Sequence, residues 1–311
     1  MSKIAFIFPG QGAQVCGMGK DFYDNTEIGR QIYDKATGLL GFSVPQLCFE
    51  ENDRLDITEY TQTAMVTTSI AMMKVLEERG ISPDVTAGLS LGEYCALTAA
   101  GVMSADDAIK AVRQRGILMQ EAVPVGIGAM AAILALDAAK IEEVLSSMED
   151  VWIANYNCPG QLVIAGSKAA VERAAALAKE KKLKEAGAKR AVMLNVSGPF
   201  HSKMLEEAGE KLGKVLDNIE ISKPRIPYVA NVTASYITDK EDVKPLLIEQ
   251  VSSSVRWQQS VEAMIKDGVD TFIEIGPGKT LAGFMKKISR QVKTLNVEKL
   301  EDIEKVVEAL S

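Results

Sequence analysis

The residues of this sequence best suited to chemistry are Gly88-Leu89-Ser90-Leu91-Gly92 and His201. The pentapeptide has the form G-x-S-x-G and lies between a short apolar run, Pro83-Asp84-Val85-Thr86-Ala87, and a helical run from Glu93 to Ala100. A strand–turn–helix of this kind exposes a serine hydroxyl at a sharp turn, because the flanking glycines carry no Cβ to clash. The free N–H groups of the new helix then lie close to where an oxyanion would form. A serine attacks well only when a base takes its proton, and an imidazole with a pKa of about 6.5 can do so near neutral pH. The chain contains one histidine. If Ser90 is activated by histidine, its base is therefore His201, which follows the Gly198-Pro199 turn and precedes an amphipathic helix from Lys203 onward. A lone histidine usually caps a helix or sits in a core, and it is the elbow that favours catalysis here. Asp and Glu together number 42, and spacing singles out none of them to orient the imidazole.

A second segment fits the same chemistry. Phe8-Pro9-Gly10-Gln11-Gly12 ends an apolar strand in a loop of small residues with exposed backbone N–H groups. The N–H of Gln11 and that of Leu91, the residue after the nucleophile, would make a two-donor oxyanion hole. An ordinary glycine-rich turn is the alternative for this segment taken alone. Two nucleotide motifs are excluded. Gly10-Gln11-Gly12 lacks the third glycine of a dinucleotide fingerprint, since position 15 is Val15, and Gly278-Lys279-Thr280 lacks the first glycine of a phosphate loop, since position 273 is Ile273.

These residues must be positioned by a large soluble body. The chain has 311 residues, 47% of them apolar, enough for a sizeable core and either one domain with an insertion or two domains. The net charge of −7 argues against a nucleic-acid binder. Cys16, Cys48, Cys95 and Cys158 are widely spaced, so no zinc site is expected, and they read as buried thiols of a reducing compartment. The apolar run from Ile4 to Pro9 is too short for a signal peptide or a membrane span, and the default expectation is a cytoplasmic protein.

Short strands alternate with amphipathic helices, which predicts an α/β class with a mostly parallel sheet. Strands are expected at Lys3–Phe8, Asp84–Gly88, Thr271–Ile275 and Val292–Leu295. Helices are expected at Thr58–Arg79, Leu91–Gly101, Ala105–Ala122 (capped by Ser104) and Leu300–Leu310. Between Gly126 and Val196 the rhythm changes. Strand Ala129–Leu136, helix Asp137–Met148, strands Val151–Asn155 and Gln161–Ala165, helix Ser167–Lys184 and strand Lys189–Asn195 give βαββαβ, a ferredoxin-like order. The expected architecture is a hydrolase-like parallel-sheet domain, residues 1–125 and 197–311, with an inserted ferredoxin-like domain, residues 126–196. Ser90 and His201 flank the insert, so a cleft between the two units would hold the site.

Taken in order, these segments resemble the malonyl-CoA:acyl carrier protein transacylases over essentially the whole chain. The matching blocks are Phe8–Gln14, Thr61–Ala64, Gly88–Tyr94, Arg115–Gln120, Gly126–Met130, Asn155–Gln161, Gly198–Ser202 and Glu274–Gly278. The resemblance implies the same hydrolase-like fold with a ferredoxin-like insert. It implies that Ser90 accepts the acyl group, that His201 is its base, and that the N–H groups of Gln11 and Leu91 form the oxyanion hole. It makes the backbone carbonyl of Gln250 the group that orients His201. Arg115 would bind the free carboxylate of malonate, through the paired N–H···O bonds a guanidinium offers; without the resemblance it reads as a helix-surface arginine. Gln11, Gln62, Met119, Asn157 and Phe200 would complete the substrate site, with the Phe200 ring filling the space an α-methyl group would need. The family commonly has histidine where Leu89 stands, which bears on acyl selectivity beside Ser90.

The implied reaction is a two-step exchange from malonyl-CoA to the phosphopantetheine thiol of a holo acyl carrier protein, with no permanently bound cofactor, no metal, no nucleic acid and no membrane. Basic patches for an acidic carrier are expected at Lys181, Lys182, Lys184, Lys189 and Arg190, or at Lys286, Lys287 and Arg290; either set also reads as a solvated helix face. The alternatives are an esterase or thioesterase using the same Ser90–His201 pair, or a carrier-binding module with a vestigial elbow.

Overall fold

The structure, a computed structural model, describes residues 2–124, 126–183, 191–194, 196 and 198–310. Strand β1 (Ile4–Phe8) runs through the middle of a six-stranded sheet with β2 (Val85–Gly88), β7 (Tyr228–Val229), β8 (Tyr236–Ile237), β9 (Thr271–Ile275) and β10 (Lys293–Val297). The spatial order is β10-β9-β1-β2-β7-β8; all neighbours are parallel except the β7–β8 edge pair. Helices α1 (Lys20–Asn25), α2 (Glu27–Leu40), α3 (Val44–Phe49), α4 (Thr58–Glu78), α5 (Gly92–Ala99) and α6 (Ala105–Ala122) occupy the first part of the chain.

The apolar run Ile-Ala-Phe-Ile-Phe of β1 follows from burial on both faces. Phe6 and Phe8 enter the core built with α4, α5 and α6, while Ala5 and Ile7 enter a second cluster on the opposite face with Trp257, Met264 and Leu281. The long helix α4 is buried almost all round, which explains why Thr, Ala and Met fill it with little amphipathic pattern.

A four-stranded antiparallel sheet is formed by β3 (Gly128–Leu134), β4 (Val151–Cys158), β5 (Gln161–Ser167) and β6 (Ala191–Met193), in the order β4-β5-β3-β6. Helices α7 (Ala138–Leu145) and α8 (Lys168–Leu183) connect them in βαββαβ sequence, with the hairpin-linked strand β5 lying between β3 and β4 as in a ferredoxin-like fold. Alternation sorts the side chains. Ala131, Ile133, Ile153, Leu162 and Ile164 share a cluster with Val171 and Ala174 of α8, whereas Met130, Ala154, Val163 and Ala165 join the main core. The remaining helices are α9 (Glu206–Leu216), α10 (Val243–Gln250), α11 (Trp257–Lys266), α12 (Thr280–Ile288) and α13 (Leu300–Leu310).

The predicted elements recur with shifted ends. Helices α6 and α13 and strand β9 match, and the Ser104 hydroxyl caps α6 by accepting from the Asp107 N–H. Strand β4 runs on to Cys158 instead of ending at Asn155, because its pairing with β5 continues across two irregularities. Helix α7 is shorter than predicted, and a 3₁₀ turn, Lys203–Leu205, precedes α9. Part of the expected strand Lys189–Asn195 lies outside the described residues. Cys48, Cys95 and Cys158 are buried, but Cys16 is exposed, contrary to the expectation of four buried thiols. No helix among the described residues is long and apolar enough to cross a membrane.

Because β1 and β2 are parallel neighbours with Phe8 opposite Gly88, their outgoing turns leave the same sheet edge side by side. The turns nearly touch: a Cβ on Gly10 would lie 2.7 Å from the Leu89 carbonyl oxygen, and one on Gly92 would fall on the Phe8 carbonyl. Gly92→Ala should therefore lower the thermal midpoint, although alanine is the better helix former by about 1 kcal/mol. An unchanged or raised midpoint in a calorimetric scan would show that the two turns are not locked together.

Candidate active site

Ser90 stands at the turn between β2 and α5 with φ +52°, in the left-handed region. Such backbone costs about 1–3 kcal/mol and persists only when its surroundings fix it. Here the surroundings do so on both sides. The Ser90 N–H donates to Asn231 Oδ1 at 2.6 Å, and Asn231 Nδ2 donates to the Gly88 carbonyl at 2.6 Å. The Ser90 carbonyl accepts from Gln250 Nε2 at 3.0 Å and from the Glu93 N–H at 3.1 Å. The Leu89 side chain takes no part in these bonds; it packs against the cluster containing Trp257.

His201 also has a left-handed backbone, φ +58°, and is 4% exposed. Its loop is held by the Ser202 hydroxyl, which donates to the Pro199 carbonyl at 2.6 Å, and by Pro199 itself, which packs over Gly128 at the start of β3. Ser90 Oγ lies 2.6 Å from His201 Nε2, and His201 Nδ1 lies 2.8 Å from the backbone carbonyl of Gln250. A carbonyl only accepts, so Nδ1 carries the proton and Nε2 is left bare to receive the Ser90 proton. Burial and the Arg115 charge pull the imidazole pKa down to about 4, opposed by the Gln250 and Ser253 backbone groups. The ring is thus neutral and able to act as a base at neutral pH.

Arg115, on α6, is 1% exposed and is not the surface residue its helix context predicts. Its Nη1 donates to Gln62 Oε1 at 3.0 Å; its Nη2 donates to Gln250 Oε1 at 3.0 Å and to Ser90 Oγ at 3.2 Å. Its Nε has no partner among the described residues, and none of their carboxylates forms an ion pair with it. Burial lowers its pKa, offset in part by Tyr94 and Glu93. Gln62 is steadied in turn by Nε2 donating weakly to Met119 Sδ at 3.6 Å.

The structure thus joins Ser90, His201, Gln250, Arg115, Gln62 and Met119 in one chain of contacts. Gln11 lies in the adjoining turn, its side chain donating to Thr58 Oγ1 at 3.3 Å. Neither the Gln11 nor the Leu91 N–H has a recorded acceptor among the described residues. Phe200 and Asn157 stand outside the chain of contacts: Phe200 packs in the main core beside His201, and buried Asn157, on β4, has its Oδ1 unpartnered among the described residues. The segment after Gln250 is tied to β4, with the Val255 N–H donating to the Ala154 carbonyl at 2.8 Å and the Tyr156 N–H to the Val255 carbonyl at 2.9 Å.

The family profile described as acyl transferase domain matches residues 5–305. The chain belongs to the acyl transferase family. A relative from Bacillus subtilis (strain 168), malonyl CoA-acyl carrier protein transacylase, is 48% identical over 315 residues, covering 100% of this chain and 98% of the relative. The crystal structure of the Clostridium perfringens protein of the same name aligns with TM-score 0.93 at 42% identity, covering 99% of this chain and 97% of that one. A malonyl-transacylase solved in complex with a type II PKS acyl-carrier protein aligns with TM-score 0.94 at 38% identity, covering 99% of this chain and 100% of the other. The hydrolase-like fold with its ferredoxin-like insert is therefore the acyl transferase fold.

Two members of the site were not among the residues read from sequence. Asn231 follows a two-residue strand and Glu93 sits in the first turn of α5, where a carboxylate is ordinary; only their burial, 1% exposed each, sets them apart. The imidazole pKa leads to a pH prediction. The acid limb of kcat/KM for acylation of Ser90 should fall near pH 4, well below the 6.5 of a free imidazole. In the same window the unfolded chain binds more protons than the folded one, so stability declines as pH falls from about 6.5 toward 4. A limb at 6.5 or above in a pH–rate profile would contradict the buried neutral imidazole.

Proposed function

We propose that this acyl transferase moves the malonyl group of malonyl-CoA onto the phosphopantetheine thiol of an acyl carrier protein, through a malonyl ester on Ser90. The observation that carries this reading is the Arg115 guanidinium, buried without an ion pair among the described residues and 3.2 Å from the nucleophile. A buried charge that has dipoles around it but no counterion in contact is costly, and an anionic group of the substrate would meet it best. Nη1 has a hydrogen to spare beyond Gln62, and the Nη2 hydrogen on Ser90 Oγ is released once the serine is acylated, so a carboxylate can be gripped by both terminal nitrogens.

Ser90 Oγ attacks the thioester carbonyl as its proton passes to His201 Nε2. The oxyanion is held by the N–H groups of Gln11 and Leu91; the Ser90 N–H, already given to Asn231, is not a third donor. The C–S bond breaks, and the CoA sulfur leaves with the proton from His201. The carrier's thiol then attacks the malonyl-serine ester, gives its proton to His201, and the collapse returns that proton to Ser90 Oγ. Gln62 and Met119 support Arg115, while Asn157 and Phe200 shape the acyl site, Phe200 against α-branched groups. These steps use the side chains and backbone groups named above, a thioester donor and a thiol acceptor. The catalytic body is assigned to residues 1–125 and 197–311 and the insert to 126–196, supported by strands β3–β6 lying between Gly128 and Met193.

For the carrier, Lys286 and Lys287 in the last turn of α12 and Arg290 just beyond it are exposed, and Lys287 Nζ donates to Gln161 Oε1 of β5 at 3.2 Å, at the seam between the two sheets. The other set, Lys181, Lys182, Lys184, Lys189 and Arg190, falls outside the residues or side chains that the structure describes.

Ser90→Ala should abolish the malonyl adduct seen by intact-mass analysis after mixing with malonyl-CoA; an adduct persisting on that variant would overturn the assignment. Free malonate released at a rate indifferent to added carrier would instead indicate a hydrolase. Arg115→Ala should lower kcat/KM for malonyl-CoA by about 10²–10³-fold while gaining relative activity with acetyl-CoA; equal losses with both donors would remove its carboxylate role. Reversing the charge of Lys286 and Lys287 should raise KM for the carrier and leave acylation by malonyl-CoA intact, and an unchanged KM would exclude that surface.

A further inference from the structure

Glu93 has no part in the transfer steps above, yet its carboxylate is 1% exposed and lies at the centre of the site. A carboxylate is seldom buried without pairing or hydrogen bonds to compensate. Its Oε2 accepts from Gln250 Nε2 at 2.7 Å and from the Asn231 N–H at 3.2 Å, while Oε1 has no partner among the described residues. Both donors reach further. Asn231 bridges the elbow through its side chain, accepting from the Ser90 N–H and donating to the Gly88 carbonyl. Its own carbonyl accepts from the Arg256 N–H at 2.9 Å, so every polar group of Asn231 is engaged. Gln250 carries three further bonds: its backbone carbonyl holds His201 Nδ1, its Oε1 accepts from Arg115 Nη2, and its Nε2 also donates to the Ser90 carbonyl.

We propose that Glu93 is a positioning residue for acyl transfer: one oxygen of its buried carboxylate ties Asn231 to Gln250 and thereby fixes the nucleophile elbow, the imidazole and the guanidinium relative to one another. The three reacting groups come from separate elements, the turn before α5, the loop before α9, and α6. Gln250 touches all three and Asn231 holds the elbow, but without the carboxylate between them nothing fixes the Gln250 amide against Asn231. Misplacement of a reacting group by about 1 Å can cost about 10²-fold in rate. The bonds at Oε2 need an acceptor and not a charge, so an amide oxygen at the same place serves as well. Burial pushes the Glu93 carboxyl up to about 7, consistent with a group whose use does not depend on remaining ionised.

The proposal rests on the malonyl-transfer reading, and its test separates the two. The full-length protein and the variants Glu93→Ala, Glu93→Gln and Asn231→Asp are compared in the rate of Ser90 labelling by a serine-reactive phosphonate and in the ratio of kcat/KM for malonyl-CoA over acetyl-CoA. Glu93→Ala should slow labelling by about 10²-fold and lower the malonyl preference, because both the elbow and Arg115 lose their anchor. Glu93→Gln should restore both to within about fivefold of the parent. Asn231→Asp places an oxygen against the Gly88 carbonyl and should slow labelling while the malonyl preference, set through Gln250, is kept. If Glu93→Ala does not fold, the other two variants still decide the matter. Overturning results are Glu93→Gln as impaired as Glu93→Ala or worse than fivefold, Asn231→Asp labelling at the parent rate, or a Glu93→Ala protein that melts earlier with labelling and selectivity intact. Absence of a malonyl adduct on the parent protein, with phosphonate labelling following the predicted order, would overturn the substrate assignment and leave the positioning role standing.

Discussion

A serine in a left-handed backbone, held from both sides, is the constraint on which this site depends. The strain at Ser90 is sustained because its N–H and its carbonyl both have buried partners and because the neighbouring turn after β1 presses glycine against the elbow. Parallel pairing of β1 with β2 makes that pressure possible, since it brings the ends of two strands 80 residues apart in sequence to the same sheet edge. The apolar content of β1 is thus tied to the elbow: burial on both faces fixes the strand, the strand fixes the turn, and the turn sets Gly10 against Leu89.

Electrostatics divides the labour within the site. Burial and a nearby positive charge keep the imidazole neutral, so Nε2 is free to accept a proton; the same lowering of its pKa makes it a weaker base, and an imidazolium formed there would give its proton up readily. The guanidinium is held by two glutamine oxygens, so its charge is solvated by dipoles and not neutralised. Neutral amide partners orient the fork without supplying a counter-charge, which is what the proposed grip on a carboxylate requires. An acidic partner in contact would compete with the substrate for the same hydrogens.

The sequence disclosed those parts of the site that side-chain identity can announce. Ser90 stands in a recognisable pentapeptide, His201 has no competitor, and short apolar runs alternating with amphipathic helical segments give both sheets their main strands. Arg115 was legible only through resemblance, since nothing in α6 distinguishes a buried arginine from a surface one. Glu93 and Asn231 were not legible because their importance comes from burial and from bonds to main-chain atoms far away in sequence. Strands β7 and β8 were missed for a simpler reason: two residues carry no period.

Gln250 illustrates a further property of such a site. The group that orients His201 is its main-chain carbonyl, while its side chain serves Arg115, Glu93 and the elbow. An exchange of the side chain at position 250 deletes the second set of bonds and leaves the first acceptor in the chain. The orienting function is therefore encoded by the path of the backbone between α10 and the segment paired to β4, and not by the codon at that position. A survey by alanine substitution would register the loss of the side-chain bonds at position 250 and miss the carbonyl that holds the imidazole, since every residue placed there retains it.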